Sequence, residues 1–462
     1  MKHSIIFIAG LLLLTACSGR LDDSGTYEPN RLLSETEMLA NPDILSGVYY
    51  AYPGPEQEQL TPAPTGYEAF YISHYGRHGS RYQPNDTRYA NTRLRLQIAH
   101  ECENLTELGE KLLTNINLLC DSCLGHGGML TTIGAQQHHD IGMRMAQRWP
   151  EVFSATYEVP GQIETSLGHY PKHISARASV VPRCGASMHA FLSGLSESGF
   201  LRSTVIAEVD SAYMSYIAYD TPQMRELGSK TAEWQEGYRQ NVQDKIQPFA
   251  ESLTRRIFSD ASGLDTLQMI NDLYWLVIGM QNVDVPGCDI SYVFTPEEML
   301  RCWQCVNYRM YVCNGNAPLS NGIPAQSAST LLQNIVQSAD EAIATDTIAA
   351  TLRFGHDSNL LRLLALMRIH NSANQVSDPA DAWMIWQENR LSPMGANLQL
   401  VFYRNAEGDV LVKILHNENE ITIDGIVPSV DGIYYRWSEL RESFLSWMQI
   451  DGGSTEFIEP VQ

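Results

Sequence analysis

Four short runs of apolar and β-branched residues predict strands. Residues 68–73 and 348–354 are each followed by a glycine, and both runs are apolar enough to be buried. Aromatic and β-branched residues over about four to eight positions are typical of strands. Residues 398–403 and 410–415 flank a polar turn that contains Glu407-Gly408, and this pattern predicts a hairpin near the end of the chain.

Helical spacing of apolar residues predicts helices behind these strands. Residues 131–149 carry apolar side chains at helical intervals, with a threonine as the candidate N-cap and Pro150 directly after the pattern. Residues 185–195 place their apolar side chains on one face, and residues 359–367 are so rich in leucine that the helix should be buried. Strand-then-helix units therefore occur in both halves of the chain.

The order of these elements predicts an α/β sheet domain interrupted by a mostly α-helical cap. The two parts of the sheet domain are assigned to residues 66–200 and 331–450. The cap is assigned to residues 201–330, where no strand alternation is evident. Residues 17–65 are rich in proline, glycine, serine and acidic residues, and they are predicted to form a tether and lead-in.

The first residues predict export. Residues 1–16 combine Lys2 with an apolar run of about ten residues, too short to span a bilayer as a helix, which indicates a signal peptide. Leu14-Thr-Ala-Cys17 resembles the lipobox of bacterial lipoproteins, in which the cysteine is lipidated. Ser18 after it resembles the pattern of outer-membrane sorting in Gram-negative bacteria. The expected location is the outer membrane, facing either the periplasm or the exterior.

Composition narrows the function further. The 462 residues carry a formal charge of −22, which argues against a general nucleic-acid-binding protein because such proteins need a basic face. A local cluster of arginines can still bind a small anion. Eight cysteines follow Cys17, and in an exported protein an even number favours disulfides over zinc binding.

The most informative string is Arg77-His78-Gly79-Ser-Arg81, directly after the first predicted strand. Ligands of open α/β sheets bind at the carboxyl ends of strands. Two guanidinium groups four positions apart can converge on one phosphate, and Gly79 permits a close approach of the backbone. The imidazole of His78, if neutral, can then attack phosphorus.

A second polar string, His356-Asp357, follows the strand at residues 348–354 and opens a helix. A helix N-terminus favours anions, so His356 can donate a hydrogen bond to a phosphate while Asp357 transfers a proton. An aspartate at this position is also a common helix N-cap, so the pair alone is compatible with a structural role.

Together these strings resemble the histidine acid phosphatase family, the branch 2 histidine phosphatases. That family has an R-H-G-x-R nucleophile loop and a downstream H-D or H-A-E proton-donor motif. Further similarities occur in the expected order at residues 130–134, 177–195 and 391–398. The resemblance covers residues 66–440 and implies a phosphoglycerate-mutase-like α/β domain with an inserted helical cap.

The resemblance also implies the roles of the site residues. His78 would attack phosphorus and Asp357 would donate a proton to the leaving group, which implies an acidic optimum and requires neither a metal nor another cofactor. The groups implied to bind the phosphoryl moiety are Arg77, Arg81, Arg183 and His356. Arg177 is a weaker candidate for a supporting role.

The sequence leaves two substrate classes open. Arg81-Tyr82 and the long stretch up to Leu130 resemble the multiple inositol polyphosphate phosphatase branch, which acts on phytate-like substrates. His356-Asp357 instead resembles bacterial phytases and glucose-1-phosphatases, so a sugar phosphatase or broad acid phosphatase is the alternative. A non-catalytic ligand-binding lipoprotein at the cell surface is the alternative from another class.

Overall fold

The computed structural model describes residues 31–158, 169–229 and 232–448. The strands are β1 (Glu68–Arg77), β2 (Thr156–Glu158), β3 (His169–Pro171), β4 (His173–Ala178), β5 (Thr204–Val209), β6 (Ile348–Gly355), β7 (Asn397–Arg404), β8 (Val410–His416), β9 (Asn419–Glu420) and β10 (Tyr434–Arg436). The predicted signal peptide (1–16), Cys17 and the end of the chain from residue 449 lie outside the described residues.

The helices alternate with these strands. They are α1 (Glu35–Ala40), α2 (Thr87–Glu101), α3 (Glu107–Cys123), α4 (Thr132–Arg148), α5 (Pro150–Ser154), α6 (Pro182–Glu197), α7 (Met214–Ile217), α8 (Pro222–Leu227), α9 (Trp234–Ile257), α10 (Thr266–Gly279), α11 (Pro296–Asn314), α12 (Ile323–Ser327), α13 (Ser329–Thr345), α14 (Asp357–Leu366), α15 (Glu388–Leu391) and α16 (Trp437–Trp447). In the described part of the chain, no helix is both long and apolar enough to cross a bilayer.

A mixed sheet forms the centre of the molecule, in the order β10-β8-β7-β1-β6-β4-β5, with β9 paired to β8. Strands β1, β6, β4 and β5 run parallel, whereas β7, β8 and β10 are antiparallel to their neighbours. The predicted strands and hairpin are therefore confirmed, as is the α/β fold class. The carboxyl ends of β1, β4 and β6 meet at one edge.

Helices cover both faces of this sheet. Because successive strand residues point to opposite faces, Ile72 packs with the core beside α4, α5 and α6, while Tyr71 packs with the core beside α13, α14 and α16. The predicted helices at 131–149, 185–195 and 359–367 correspond to α4, α6 and α14. Thr131 is the N-cap of α4, where its side chain accepts from the backbone N–H of Gly134.

A separate helical layer stands beside the sheet domain. Helices α2, α3, α9, α10 and α11 share one apolar core. Its central residues are Leu96, Ile116, Leu253, Leu273 and Trp303. The layer therefore includes α2 and α3, which precede the predicted cap at 201–330. Amphipathic spacing shows that each of these helices buries a face, but it does not show against which partner.

The predicted cap boundary also misses β5, which extends the sheet beyond residue 200. This edge strand is mostly exposed on both faces and carries Val205, Ile206 and Val209. The run lacks the alternation of apolar and polar residues that identifies a strand with one buried face, which explains why it was not predicted.

Residues 31–65, here called the N-terminal strap, are packed onto the protein along much of their length. The first part contains α1 and a 3₁₀ helix at Pro42–Tyr49, and it buries Met38, Leu45 and Tyr49 in the core of the helical layer. The second part follows the sheet domain, where the Glu420 carboxylate accepts hydrogen bonds from the backbone and hydroxyl of Thr61. Of the predicted tether and lead-in at 17–65, residues 31–65 are therefore a packed lead-in and not a tether.

The predicted disulfides are absent from the described part of the structure, where all eight cysteines are free. Several thiols instead donate to backbone carbonyls, as Cys120 does to Tyr89 and Cys288 does to Asn115. The C-x₂-C pairs lie within α3 and α11, with their thiols buried in the helical layer. Cysteine number alone could not distinguish this arrangement from a disulfide framework.

Candidate active site

Three separate stretches of the chain meet at the carboxyl edge of the sheet. Strand β6 lies between β1 and β4, with Arg77 paired to Gly355 and Ala178 paired to Phe354. The residues that follow these strands therefore face one another. The ring centroids of His78 and His356 lie 5.8 Å apart, and α6 begins nearby with Arg183 in its first turn.

His78 is held as a neutral imidazole with a defined tautomer. Its ring is buried, and Nδ1 lies 2.9 Å from the carbonyl oxygen of Gly79. Because a carbonyl only accepts, Nδ1 carries the proton and Nε2 keeps its lone pair. Burial lowers the pKa of His78 well below its usual value, and the charges of Arg77, Arg183 and Arg81 lower it further.

Arg77 is fully buried, but only some of its N–H groups have a hydrogen-bond acceptor. Its Nη1 donates to the carbonyl oxygens of Val48 and Ser392, each at 2.6 Å. Its Nη2 lies 3.4 Å from Oδ2 of Asp357, and neither Nη2 nor Nε has a hydrogen bond within the described structure. Burial lowers the pKa of Arg77 to about 10, so the guanidinium remains charged at neutral pH.

Arg81 and Arg183 complete a group of three cations around His78. Nη1 of Arg81 donates to the hydroxyl of Tyr49 at 2.9 Å and to the carbonyl of Tyr82 at 2.8 Å. Burial and the charge of Arg81 both lower the pKa of Arg183. The Nε atoms of Arg81 and Arg183 are buried without a hydrogen bond to any described residue. Buried donors of this kind require an acceptor.

His356 is the N-cap of α14 and Asp357 is its first residue, beside Arg77. Nε2 of His356 lies 3.0 Å from the hydroxyl of Ser179, and burial together with Arg183 lowers the pKa of His356 to about 4. Burial opposes ionisation of Asp357, but the charges of Arg77 and other cations outweigh it and lower the pKa of this carboxyl. In the free protein, Asp357 is therefore a carboxylate beside neutral imidazoles.

The loop that carries His78 is fixed by close backbone packing. The carbonyl of His78 accepts from the backbone N–H of Gly395 at 3.0 Å, and the N–H of Gly79 donates to the hydroxyl of Ser187 at 3.1 Å. A Cβ atom on Gly79 would lie 2.3 Å from the carbonyl oxygen of Gly134. The strings at residues 130–134 and 391–398, noted in the sequence, thus contact this loop.

Arg177 lies outside the cation group. It is on β4, its Nη1 donates to the hydroxyl of Tyr216 at 3.2 Å, and its guanidinium lies over the ring of Tyr213. Arg183 is among the charges that lower the pKa of His78, and Arg177 is not. In the described ranges, no group of three or more His, Cys, Asp or Glu residues could hold a metal ion.

The sequence did not identify several residues that shape this site. Val48 and Tyr49 come from the N-terminal strap, Ser392 precedes β7, and Ser179 follows β4. Each acts through a backbone carbonyl or a single hydroxyl. No local pattern distinguishes such residues from ordinary serines, valines and tyrosines.

Comparison with protein families gives one match across most of the chain. The family model described as histidine phosphatase superfamily (branch 2) matches residues 76–417. This range begins at the end of β1 and includes both the His78 loop and the His356-Asp357 pair. No protein in the curated collection matches the sequence.

Solved structures share the fold at low sequence identity. Multiple inositol polyphosphate phosphatase of Bifidobacterium longum, in complex with inositol hexasulfate, is 18% identical with a TM-score of 0.68, over 88% of this chain and 99% of that chain. Its apo form gives 19% identity and a TM-score of 0.69 over the same shares. The phytase from D. castellii is 15% identical with a TM-score of 0.62, over 93% of this chain and 90% of that one.

Proposed function

Because the chain belongs to branch 2 of the histidine phosphatase superfamily, we propose that it hydrolyses phosphomonoesters through a phosphohistidine on His78, with inositol polyphosphates as its substrate class. A neutral, tautomerically defined imidazole beside three cations is the observation that carries this proposal. Nε2 of His78 carries a free lone pair, and nearby N–H groups of Arg77, Arg81 and Arg183 have no hydrogen-bond partner among the described residues.

In the first step, Nε2 of His78 attacks phosphorus as the ester oxygen leaves on the opposite side. The N–P bond forms, the P–O bond breaks, and Asp357 gives its proton to the departing oxygen. Arg77, Arg81 and Arg183 stabilise the equatorial oxygens, where the charge of a loose transition state is distributed.

In the second step, water attacks the phosphohistidine. Asp357, now a carboxylate, takes a proton from the water as the new P–O bond forms and the N–P bond breaks. Inorganic phosphate leaves, and His78 returns to its neutral state. The same carboxyl therefore acts first as a general acid and then as a general base.

Binding of the substrate prepares Asp357 for the first step. In the free protein, Arg77 favours the carboxylate. A phosphate dianion would bind the unsatisfied N–H groups of Arg77 and bring negative charge close to Asp357. Both effects raise the pKa of Asp357 in the complex, which is the state in which the proton is needed.

The proposed mechanism is tested with His78→Ala and a simple aryl phosphate. We expect phosphate release to fall by at least ~10³-fold, because the variant cannot form the covalent intermediate. Circular dichroism checks that the variant is folded, and phosphohistidine trapped by rapid acid-free quenching of the wild type identifies the intermediate. Activity of the variant near the wild-type level would refute the role of His78.

The substrate class is tested by comparing inositol hexakisphosphate with glucose-1-phosphate. The solved B. longum fold relative, a multiple inositol polyphosphate phosphatase bound to inositol hexasulfate, supports the first class. We expect a higher kcat/KM on inositol hexakisphosphate. A preference for glucose-1-phosphate would instead favour the sugar-phosphatase alternative, and no vanadate-sensitive phosphate release from either would favour a non-catalytic binding protein.

We also propose that Cys17 is lipidated and anchors the protein in the outer membrane. The lipobox-like string Leu14-Thr-Ala-Cys17 supports this location. Expression of the full chain in a Gram-negative host, with labelled palmitate, should yield a labelled protein in the membrane fraction. Cys17→Ser should abolish the label, and an unlabelled wild-type protein would contradict the proposal.

A further inference from the structure

We propose that the N-terminal strap completes the phosphate site, with Tyr49 and Val48 positioning Arg81 and Arg77 for the anion. This inference rests on the proposed function and adds the residues that orient its binding groups. Neither strap residue is assigned a chemical step. Their role is to fix the direction in which two guanidinium groups present their free N–H groups.

Tyr49 contacts Arg81 in two ways. Its hydroxyl accepts from Nη1 at 2.9 Å, and its ring lies under the guanidinium, with 4.8 Å between Cζ and the ring centroid. The carbonyl of Tyr82 accepts from the same Nη1 at 2.8 Å. These contacts fix the guanidinium, and its buried Nε has no hydrogen bond to any described residue.

Tyr49 is itself held from two sides. Its ring meets Trp275 of α10 edge-on, with centroids 5.1 Å apart, and its carbonyl accepts from the side-chain amide of Asn282 at 2.8 Å. The amide oxygen of Asn282 accepts from the hydroxyl of Ser80 at 2.7 Å. The strap, the helical layer and the loop that carries His78 are thus joined through one buried amide.

Val48 acts on Arg77 through its carbonyl oxygen. That oxygen accepts from Nη1 at 2.6 Å, and the carbonyl of Ser392 takes the other hydrogen of the same atom. The preceding residue, Gly47, has φ of 58° and ψ of −134°, a conformation that favours glycine. A Cβ atom there would also lie 2.6 Å from a carboxyl oxygen of Glu388. The turn at Gly47 therefore directs the Val48 carbonyl towards Arg77.

These contacts restrict groups that would otherwise be mobile. A free arginine side chain has many rotamers, and ordering it on binding costs conformational entropy. In this structure hydrogen bonds to the strap fix both guanidinium groups, whose charges lie close enough to His78 to lower its pKa. Loss of the Tyr49 contact should weaken phosphate binding more than it slows the chemical step.

The test compares Tyr49→Phe with Tyr52→Phe in the full chain. Tyr52 lies in the same strap and is also buried, but its hydroxyl donates to Glu418, away from the cation group. We expect Tyr49→Phe to raise KM for an aryl phosphate about fivefold with little change in kcat, since one charge-assisted hydrogen bond is lost. Tyr52→Phe should leave KM unchanged, whatever its effect on thermal stability.

Binding of inorganic phosphate, measured by calorimetry, separates this inference from the proposed function. It requires no turnover, so it tests the positioning of Arg81 even if the wild type releases no phosphate from any ester. Tyr49→Phe should weaken phosphate binding by a similar factor, and Tyr49→Leu, which also removes the ring face, should weaken it further. Equal affinities in wild type, Tyr49→Phe and Tyr52→Phe would overturn the inference while leaving the mechanism intact.

Discussion

The guanidinium of Arg77 lies 3.4 Å from the carboxylate of Asp357 while two backbone carbonyls hold its other terminal nitrogen. The proposed proton donor is therefore ionised in the free protein and paired with a group that is also proposed to bind the substrate. Competition between the phosphate and Asp357 for Arg77 would link binding to protonation. This relationship leads to the first prediction.

Asp357→Asn should slow esters with poor leaving groups far more than esters with good ones. An alcohol leaving group needs a proton as the P–O bond breaks, whereas an acidic phenol leaves as an anion. We expect kcat to fall by about 10²-fold or more for an alkyl phosphate and by less than about tenfold for an activated aryl phosphate. A leaving-group series measured under single-turnover conditions gives the comparison, and equal slowing across the series contradicts the donor role.

The rate should not fall through protonation of His78 at the pH where a free histidine titrates. Burial and the charges of three arginines lower the pKa of His78 well below its ordinary value, so the imidazole should still be a nucleophile at that pH. The measurement is the pH profile of kcat/KM on an aryl phosphate, corrected for the ionisation of the substrate itself. An acid limb centred near pH 6.5 that persists after this correction would mean that His78 has an ordinary pKa.

Arg183→Ala should impair turnover much more than Arg177→Ala. Arg183 is close enough to His78 to lower its pKa, whereas Arg177 is engaged by Tyr213 and Tyr216. We expect the first variant to lose at least about tenfold in kcat/KM, as for the removal of a charged hydrogen-bond donor, and the second to lose little. Comparable losses in the two variants would show that the phosphate also depends on Arg177.

Glu388→Gln should make stability less dependent on pH. The carboxyl is fully buried, neither oxygen has a hydrogen bond among the described residues, and burial raises its pKa to about 8. The folded state therefore keeps a proton that the unfolded chain loses above about pH 4.3, so stability falls as pH rises from there towards 8. This residue is expected to lower the unfolding free energy by at most about 1.4 kcal/mol per pH unit.

Chemical denaturation at pH 5 and pH 8 measures this effect. The loss of unfolding free energy between the two pH values should be smaller in Glu388→Gln than in the wild type. Glu407→Gln, in the exposed turn between β7 and β8, is the matched control and should behave like the wild type. If the unfolding free energy of Glu388→Gln depended on pH as strongly as that of the wild type, this carboxyl would titrate normally.

The local pattern of apolar and polar residues predicted the strands and helices that can be recognised from their own residues. Strands β1 and β6 are buried on both faces and appear in the sequence as continuous apolar runs, and the hairpin of β7 and β8 has a turn of typical composition. The threonines at 131 and 132 were the candidate N-caps of α4, and Thr131 is the one that caps it. The edge strand β5 was not recognised, because its residues are exposed on both faces and show no alternation.

The sequence by itself determined which residues are proposed to carry the chemistry. Arg77 ends β1, His78 and Arg81 follow it, and His356 and Asp357 follow β6, at the carboxyl edge of the parallel strands. Only the tertiary structure decided what orients them. Arg77 is held by Ser392, 315 positions away, and by the strap. Such contacts are made by backbone carbonyls and single hydroxyls. These groups produce no periodic pattern in the sequence, so only the tertiary structure shows which of them come together.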